Sequence, residues 1–247
     1  MSSSTAASSV GSPLHIAIGR WLFSSIGKKT VVAVTGVLLV LFVIAHLLGN
    51  LTVFAGPDWI NAYAVHLRDF GPLLWVARIG LLAAVVLHIY FTMLVWKENA
   101  AAKPQKYAVR ATIQTTVFAR TMRMTGLFVL AFVVFHLAHF TLLIVDPAYA
   151  GYHTELDGHQ VHDVYRMLIV GFSNPYVSVF YILALFFLSF HLNHGLSSLF
   201  QTLGFSNRTM RRVYDTGAGI VAWLLFIGYA SIPVSILIFG LGKDYLK

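Results

Sequence analysis

The sequence predicts an all-α integral membrane protein, a bundle of five transmembrane helices, and three observations carry that prediction. Of 247 residues, 58% are apolar and only 11% charged, with a mean hydropathy of +0.77; about 25% charged is usual in soluble domains. Apolar stretches about 20 residues long recur, enough to cross a hydrocarbon core of about 30 Å. Prolines and polar clusters punctuate them at intervals that leave five spans.

The elements follow in order. Residues 1–19 begin "MSSSTAASSVGSP", small and polar, with no basic segment leading into an apolar run. They read as a disordered tail and not as a cleaved signal peptide. The membrane domain takes the remainder, 20–247. Its first span, about 30–55, stops at "GPDW", and the second covers about 73–97. The segment 106–120, "KYAVRATIQTTVFAR", reads as a short interfacial helix. The third span, about 122–145, is closed by Asp146 and Pro147, the fourth, about 174–203, is opened by Asn174 and Pro175, and the fifth covers about 214–241. No tandem repeat is evident.

Charge orients the bundle. Arg20, Lys28, Lys29, Lys97, Lys103, Lys106, Arg110, Arg120, Arg123, Arg208, Arg211 and Arg212 fall on one side, against only Glu98 and Asp215. The other side holds Asp58, Asp69, Asp146, Glu155, Asp157, Asp163 and Asp244 with few bases. The positive-inside rule places the first set in the cytoplasm, so the N-terminus is expected inside and the C-terminus outside. The net charge of +8 is therefore membrane topology, and no nucleic-acid partner is expected. The chain has no cysteine, which excludes disulfides, thiolate metal sites and iron–sulfur ligation by its own residues.

The chemistry lies in the histidines. His46, His88, His136, His139, His191 and His194 fall within four of the five spans, and ionisable residues at membrane depth are costly and usually functional. At 1.5 Å per residue, His46 and His136 lie about 12–14 Å below the outer ends of their spans. His88 and His194 lie about 14 Å above the inner ends of theirs. Two levels result, each with two imidazoles from different helices and no carboxylate. Zinc favours a closed tetrahedral set or an open catalytic one; two b-type haems, each with one imidazole on either side of the ring, fit better. His139 and His191 stand three residues from His136 and His194, about 4.5 Å away in height. They are the alternate ligands of their pairs, or bond a propionate, a quinone or a neighbouring helix, the last expected above all of His191. No Asp or Glu lies mid-span, which disfavours a proton relay or antiporter.

With that pattern, "FVIAHLLGNL", "LHIYFTMLVWKEN", "FHLAHFT" and "NHGLSSLFQ" over roughly 20–241 resemble the membrane-anchor cytochrome b of succinate:quinone oxidoreductases, the single-chain, five-helix, di-haem class of succinate dehydrogenase and fumarate reductase. The resemblance implies His46 with His136 on the outer haem and His88 with His194 on the inner one. It further implies a flavoprotein and an iron–sulfur partner on the cytoplasmic face, a quinone substrate (menaquinone preferred), residence in the bacterial cytoplasmic membrane, and room for a higher oligomer of the complex. The succinate site belongs to a partner.

Cations for the haem propionates are sought at Lys28, Lys29, Arg120 and Arg123 for the inner ring and at Arg78 for the outer one. The polar outer loop "NAYAVHLRDFGP" supplies the quinone candidates His66, Arg68 and Asp69, with Arg78 on the following span; a second position lies near Ser24, Ser25 and Lys28. Two other readings stand beside this one: a transporter or channel whose histidines line a pathway, and an anchor without haem whose histidines only join helices.

Overall fold

The computed structural model describes residues 13–102, 116–205 and 207–246. Five helices in it are long and apolar enough to cross a membrane, which fits an all-α, multi-pass bundle. They are α2 (Ser25–Asn50, prolonged by a 3₁₀ turn at Leu51–Ala55), α4 (Pro72–Ala101), α5 (Val117–His136), α7 (Pro175–Thr202) and α8 (Arg208–Leu237). Their ends follow capping chemistry. Ser24, Thr116, Asn174 and Asn207 each accept a hydrogen bond from a backbone N–H of the first turn, and proline occupies the first position of α4 and α7, where its missing N–H costs nothing.

Several boundaries differ from expectation. A helix α1 (Pro13–Leu22) begins inside the stretch read as a tail. The expected helix over 106–120 lies outside the described residues at 106–115, and residues 117–120 are instead the first turn of α5. The third span stops at Thr141, four residues short. There a π turn (Leu137–Thr141) carries the Leu142 N–H to the Leu137 carbonyl, and Leu143 takes a left-handed conformation with φ 54°, which ends the helix.

Helix α2 packs on α4, α5 on α7 and α7 on α8. One end of the bundle carries Lys28, Lys29, Glu98 and Arg123 and is the basic end. The other carries three short elements between the spans: α3 (Pro57–Asp69), an antiparallel hairpin of β1 (His153–Leu156) and β2 (His159–His162), and α6 (Val164–Ser173). This is the hairpin end. The stretches 56–70 and 146–173 are thus folded cover and not open loops. Gly49 of α2 admits the close approach of α3, because a Cβ there would meet the Tyr63 ring at 2.3 Å.

The best-buried core sits beneath that cover, in Val53, Ile60, Ile169, Phe172, Tyr181 and Ile236 with their neighbours. Asp163 ties it together at 2% exposure. Its carboxylate caps α6 by accepting from the Arg166 N–H at 3.0 Å, and also accepts from Asn61 Nδ2 at 3.2 Å and Tyr245 Oη at 2.8 Å. A buried carboxylate persists because donors from three elements replace its water. Elsewhere large apolar side chains such as Leu82, Leu127 and Ile227 stand exposed on the spans, the surface expected of helices whose solvent is lipid.

Candidate functional site

Two pairs of histidines meet inside the bundle. His46 of α2 and His136 of α5 have ring centres 5.8 Å apart, with planes at 81°. His88 of α4 and His191 of α7 have ring centres 6.4 Å apart, with planes at 63°. Each pair joins two helices, and the four histidines come from four different spans. The first pair lies toward the hairpin end and the second nearer the basic end.

The second pair departs from expectation. The imidazole opposite His88 is that of His191, and no ring contact joins His194 to His88 among the described residues. The reason is register. Helices α4 and α7 both start at the hairpin end with a proline, and His88 and His191 each stand sixteen residues beyond it. His194 is almost a turn deeper. Helix α4 continues past Lys97 to Ala101, so His88 stands further above its inner end than a span closing at Lys97 implies.

Glycines seat this second pair. A Cβ at Gly36 of α2 would lie 3.4 Å from His88 Cε1, and one at Gly126 of α5 would lie 3.3 Å from His191 Cε1. The His88 Nδ1 stands 3.2 Å from the Val32 carbonyl and 3.2 Å from Thr35 Oγ1. With the proton on Nδ1, donated to that carbonyl, Nε2 is left with its lone pair. The His191 Nδ1 is buried with no hydrogen-bond partner.

At the hairpin-side pair, His46 stacks on Phe42 at 5.3 Å, and Asn50 Nδ2 donates to the His46 carbonyl at 2.7 Å. The His136 Nδ1 lies 3.3 Å from Tyr181 Oη. His139, 1% exposed, is occupied at both nitrogens: Nδ1 is 3.1 Å from Tyr181 Oη and Nε2 is 3.3 Å from Tyr149 Oη. It is thus His139, and not His191, that spends its ring on helix contacts.

The remaining candidates are not gathered around either pair. His66 and Asp69 form a loose pair at 3.8 Å on the exposed face of α3, and Arg68 is exposed beside them. Arg78 stacks on Trp75 of its own helix at 5.1 Å. Lys28 is buried and ion-paired with Glu98, which ties α2 to α4. Arg123 covers Trp96 at 4.8 Å, tying α5 to α4. Lys29 and Arg120 are exposed. Ser24 caps α2, and Ser25 is its exposed first residue.

No cluster of three or more His, Cys, Asp or Glu side chains suited to a metal ion occurs among the described residues. Two imidazoles on opposite sides of one metal, each about 2.0–2.1 Å from it and with its ring centre roughly 1 Å further out, stand about 6 Å apart. Both observed separations are close to that. The glycine seats give the rings room against helix backbone, and the carbonyl at His88 Nδ1 is the partner that an imidazole ligand's other nitrogen needs. No protein-family model, curated protein or solved structure matches the chain.

Sequence reasoning missed Tyr181, Tyr149, Gly36 and Gly126. A mid-span tyrosine carries the same signal as a mid-span histidine, since its hydroxyl needs a partner when buried. The glycines carry no signal without a structure.

Proposed function

We propose that the chain is the membrane-anchor cytochrome b of a succinate:quinone oxidoreductase, with one haem held by His46 and His136 and a second by His88 and His191. The observation that supports it is the pair of imidazole facings, 5.8 and 6.4 Å between ring centres, drawn from four separate helices. The inner ligand is thereby reassigned from His194 to His191. Two b haems, when bound, supply one-electron transfer between an iron–sulfur partner and a membrane quinone.

The chain's own residues prepare these sites. Gly36 and Gly126 let His88 and His191 lie against helix backbone. The Val32 carbonyl holds the His88 ring, and Phe42 holds His46. In this reading the basic end faces the cytoplasm of a bacterium and receives the iron–sulfur and flavoprotein subunits. Quinone, menaquinone by preference, approaches at the hairpin end, where Arg78, His66, Arg68 and Asp69 bring protons and charge to the membrane edge.

A reduced-minus-oxidised absorbance spectrum of the purified chain tests the proposal. Two b-type haems per chain with low-spin bands are expected. A chain that folds and carries no haem would return the histidines to helix contacts or to a transport pathway.

A further inference from the structure

The hydrogen bonds behind His136 form a continuous chain. From His136 Nδ1 it passes to Tyr181 Oη at 3.3 Å, to His139 Nδ1 at 3.1 Å, across that ring, and from His139 Nε2 to Tyr149 Oη at 3.3 Å. Its far end is rooted in the hairpin-end cover. Asp146 accepts from the Ala148 N–H at 3.1 Å and starts the 3₁₀ turn that carries Tyr149, and its charge acts on both Tyr149 and His139.

Such a chain has two self-consistent directions. In one, every proton points away from His136: His136 Nδ1–H donates to Tyr181, Tyr181 to His139, and His139 Nε2–H to Tyr149. In the other, every donor is reversed and His136 carries its proton on Nε2. One feature selects the first. The Asp146 carboxylate is a fixed negative charge at the far end, and it favours dipoles whose hydrogens point toward it.

We propose that Asp146, Tyr149, His139 and Tyr181 are positioning residues that fix the tautomer of His136, holding its proton on Nδ1 so that Nε2 keeps its lone pair. The inference rests on the haem reading for its use and on the hydrogen-bond geometry for its existence. Groups that hold a ligating imidazole by its other nitrogen typically alter metal affinity by about 10–100-fold. The surrounding packing supports the role without depending on it, since the Tyr181 ring meets Phe132 edge-on at 5.1 Å and Phe172 at 5.0 Å, contacts that phenylalanine would keep.

Two measurements on the purified full chain test this, each on the wild type, Tyr181→Phe and Asp146→Asn. The first is ¹⁵N NMR of the haem-free protein, which reads the His136 tautomer directly. Wild type should show the Nδ1–H form, Tyr181→Phe should shift toward Nε2–H, and Asp146→Asn, which keeps a capping side chain, should shift in the same direction by less. The second is titration with haemin, followed by the Soret band. The hairpin-side site should weaken about 10-fold or more in Tyr181→Phe, while the other site is unchanged. Asp146→Asn retains the test if Tyr181→Phe fails to fold. An Nε2–H tautomer in the wild type, or an unchanged tautomer in both variants, overturns the proposal. A wild type that shows the Nδ1–H form but takes up no haemin would instead overturn the haem reading and leave the oriented chain standing.

Discussion

The two histidine pairs are held by different means. At the hairpin-side pair, the His136 ring is the last member of a chain of side-chain hydrogen bonds anchored in the folded cover, beside the densest part of the core. At the pair nearer the basic end, backbone takes that part: the Val32 carbonyl meets His88, and two glycines let the rings settle on helix surfaces. There, too, one ring nitrogen of His191 stays without a partner. The first site is oriented by polar groups that a single substitution can remove. The second is oriented mainly by shape, with the Val32 carbonyl and the Thr35 hydroxyl at His88 Nδ1, and added volume disturbs it most. Perturbations of the two should therefore separate cleanly.

Added volume gives the largest effect. Gly126→Val places its Cβ 3.3 Å from His191 Cε1 and two further methyl groups beyond, so the imidazole has to move. Haem content should fall from two per chain to one, measured by pyridine haemochrome assay, with the hairpin-side site intact. Loss from both sites, or from neither, would show that the pairs are not independent.

A smaller effect is expected from the cover. Asp163→Ala leaves Asn61 Nδ2, the Arg166 N–H and the Tyr245 hydroxyl without their acceptor. Unsatisfied buried donors should destabilise the chain by roughly 2–3 kcal/mol. Thermal unfolding should report a lower midpoint, and the hairpin-side haem should be lost before the other on heating. Simultaneous loss would mean that the cover does not distinguish the two sites.

The smallest effect concerns pH. Burial, then the Arg68 and His153 charges, hold the His162 pKa below its usual value, opposed by the Tyr152 carbonyl and Asp163. A depressed pKa means that the folded hairpin favours neutral His162. Its contribution is complete above about pH 6.5 and declines as the pH falls through that value toward the folded one. Amide exchange across β1 and β2 should quicken at pH 5 relative to pH 7.5, and His162→Gln should abolish the difference.

Much of this was legible in the sequence, and the rest was hidden for identifiable reasons. Five spans could be read because hydrocarbon thickness sets a minimum apolar length, and histidines at that depth announce themselves by their cost. Depth counted from the ragged basic end favours His194 over His191, because α4 continues past Lys97 with "ENAA". Measured from Pro72 and Pro175, the same sequence favours His191. The cover at the hairpin end looks like loop in the sequence because α3 and the hairpin are short and polar, with neither span length nor long periodicity to mark them. The Lys28–Glu98 pair carries no sequence signal, since the partners stand 70 residues apart and only packing brings them together.

The pairing itself is tested most directly by haem stoichiometry in two single variants, measured side by side. His191→Ala should retain one haem per chain, the one between His46 and His136, while His194→Ala should retain both with an unaltered low-spin spectrum. Two haems in His191→Ala and one in His194→Ala would contradict the account, because the imidazole facing His88 across the bundle would then not be the one that binds.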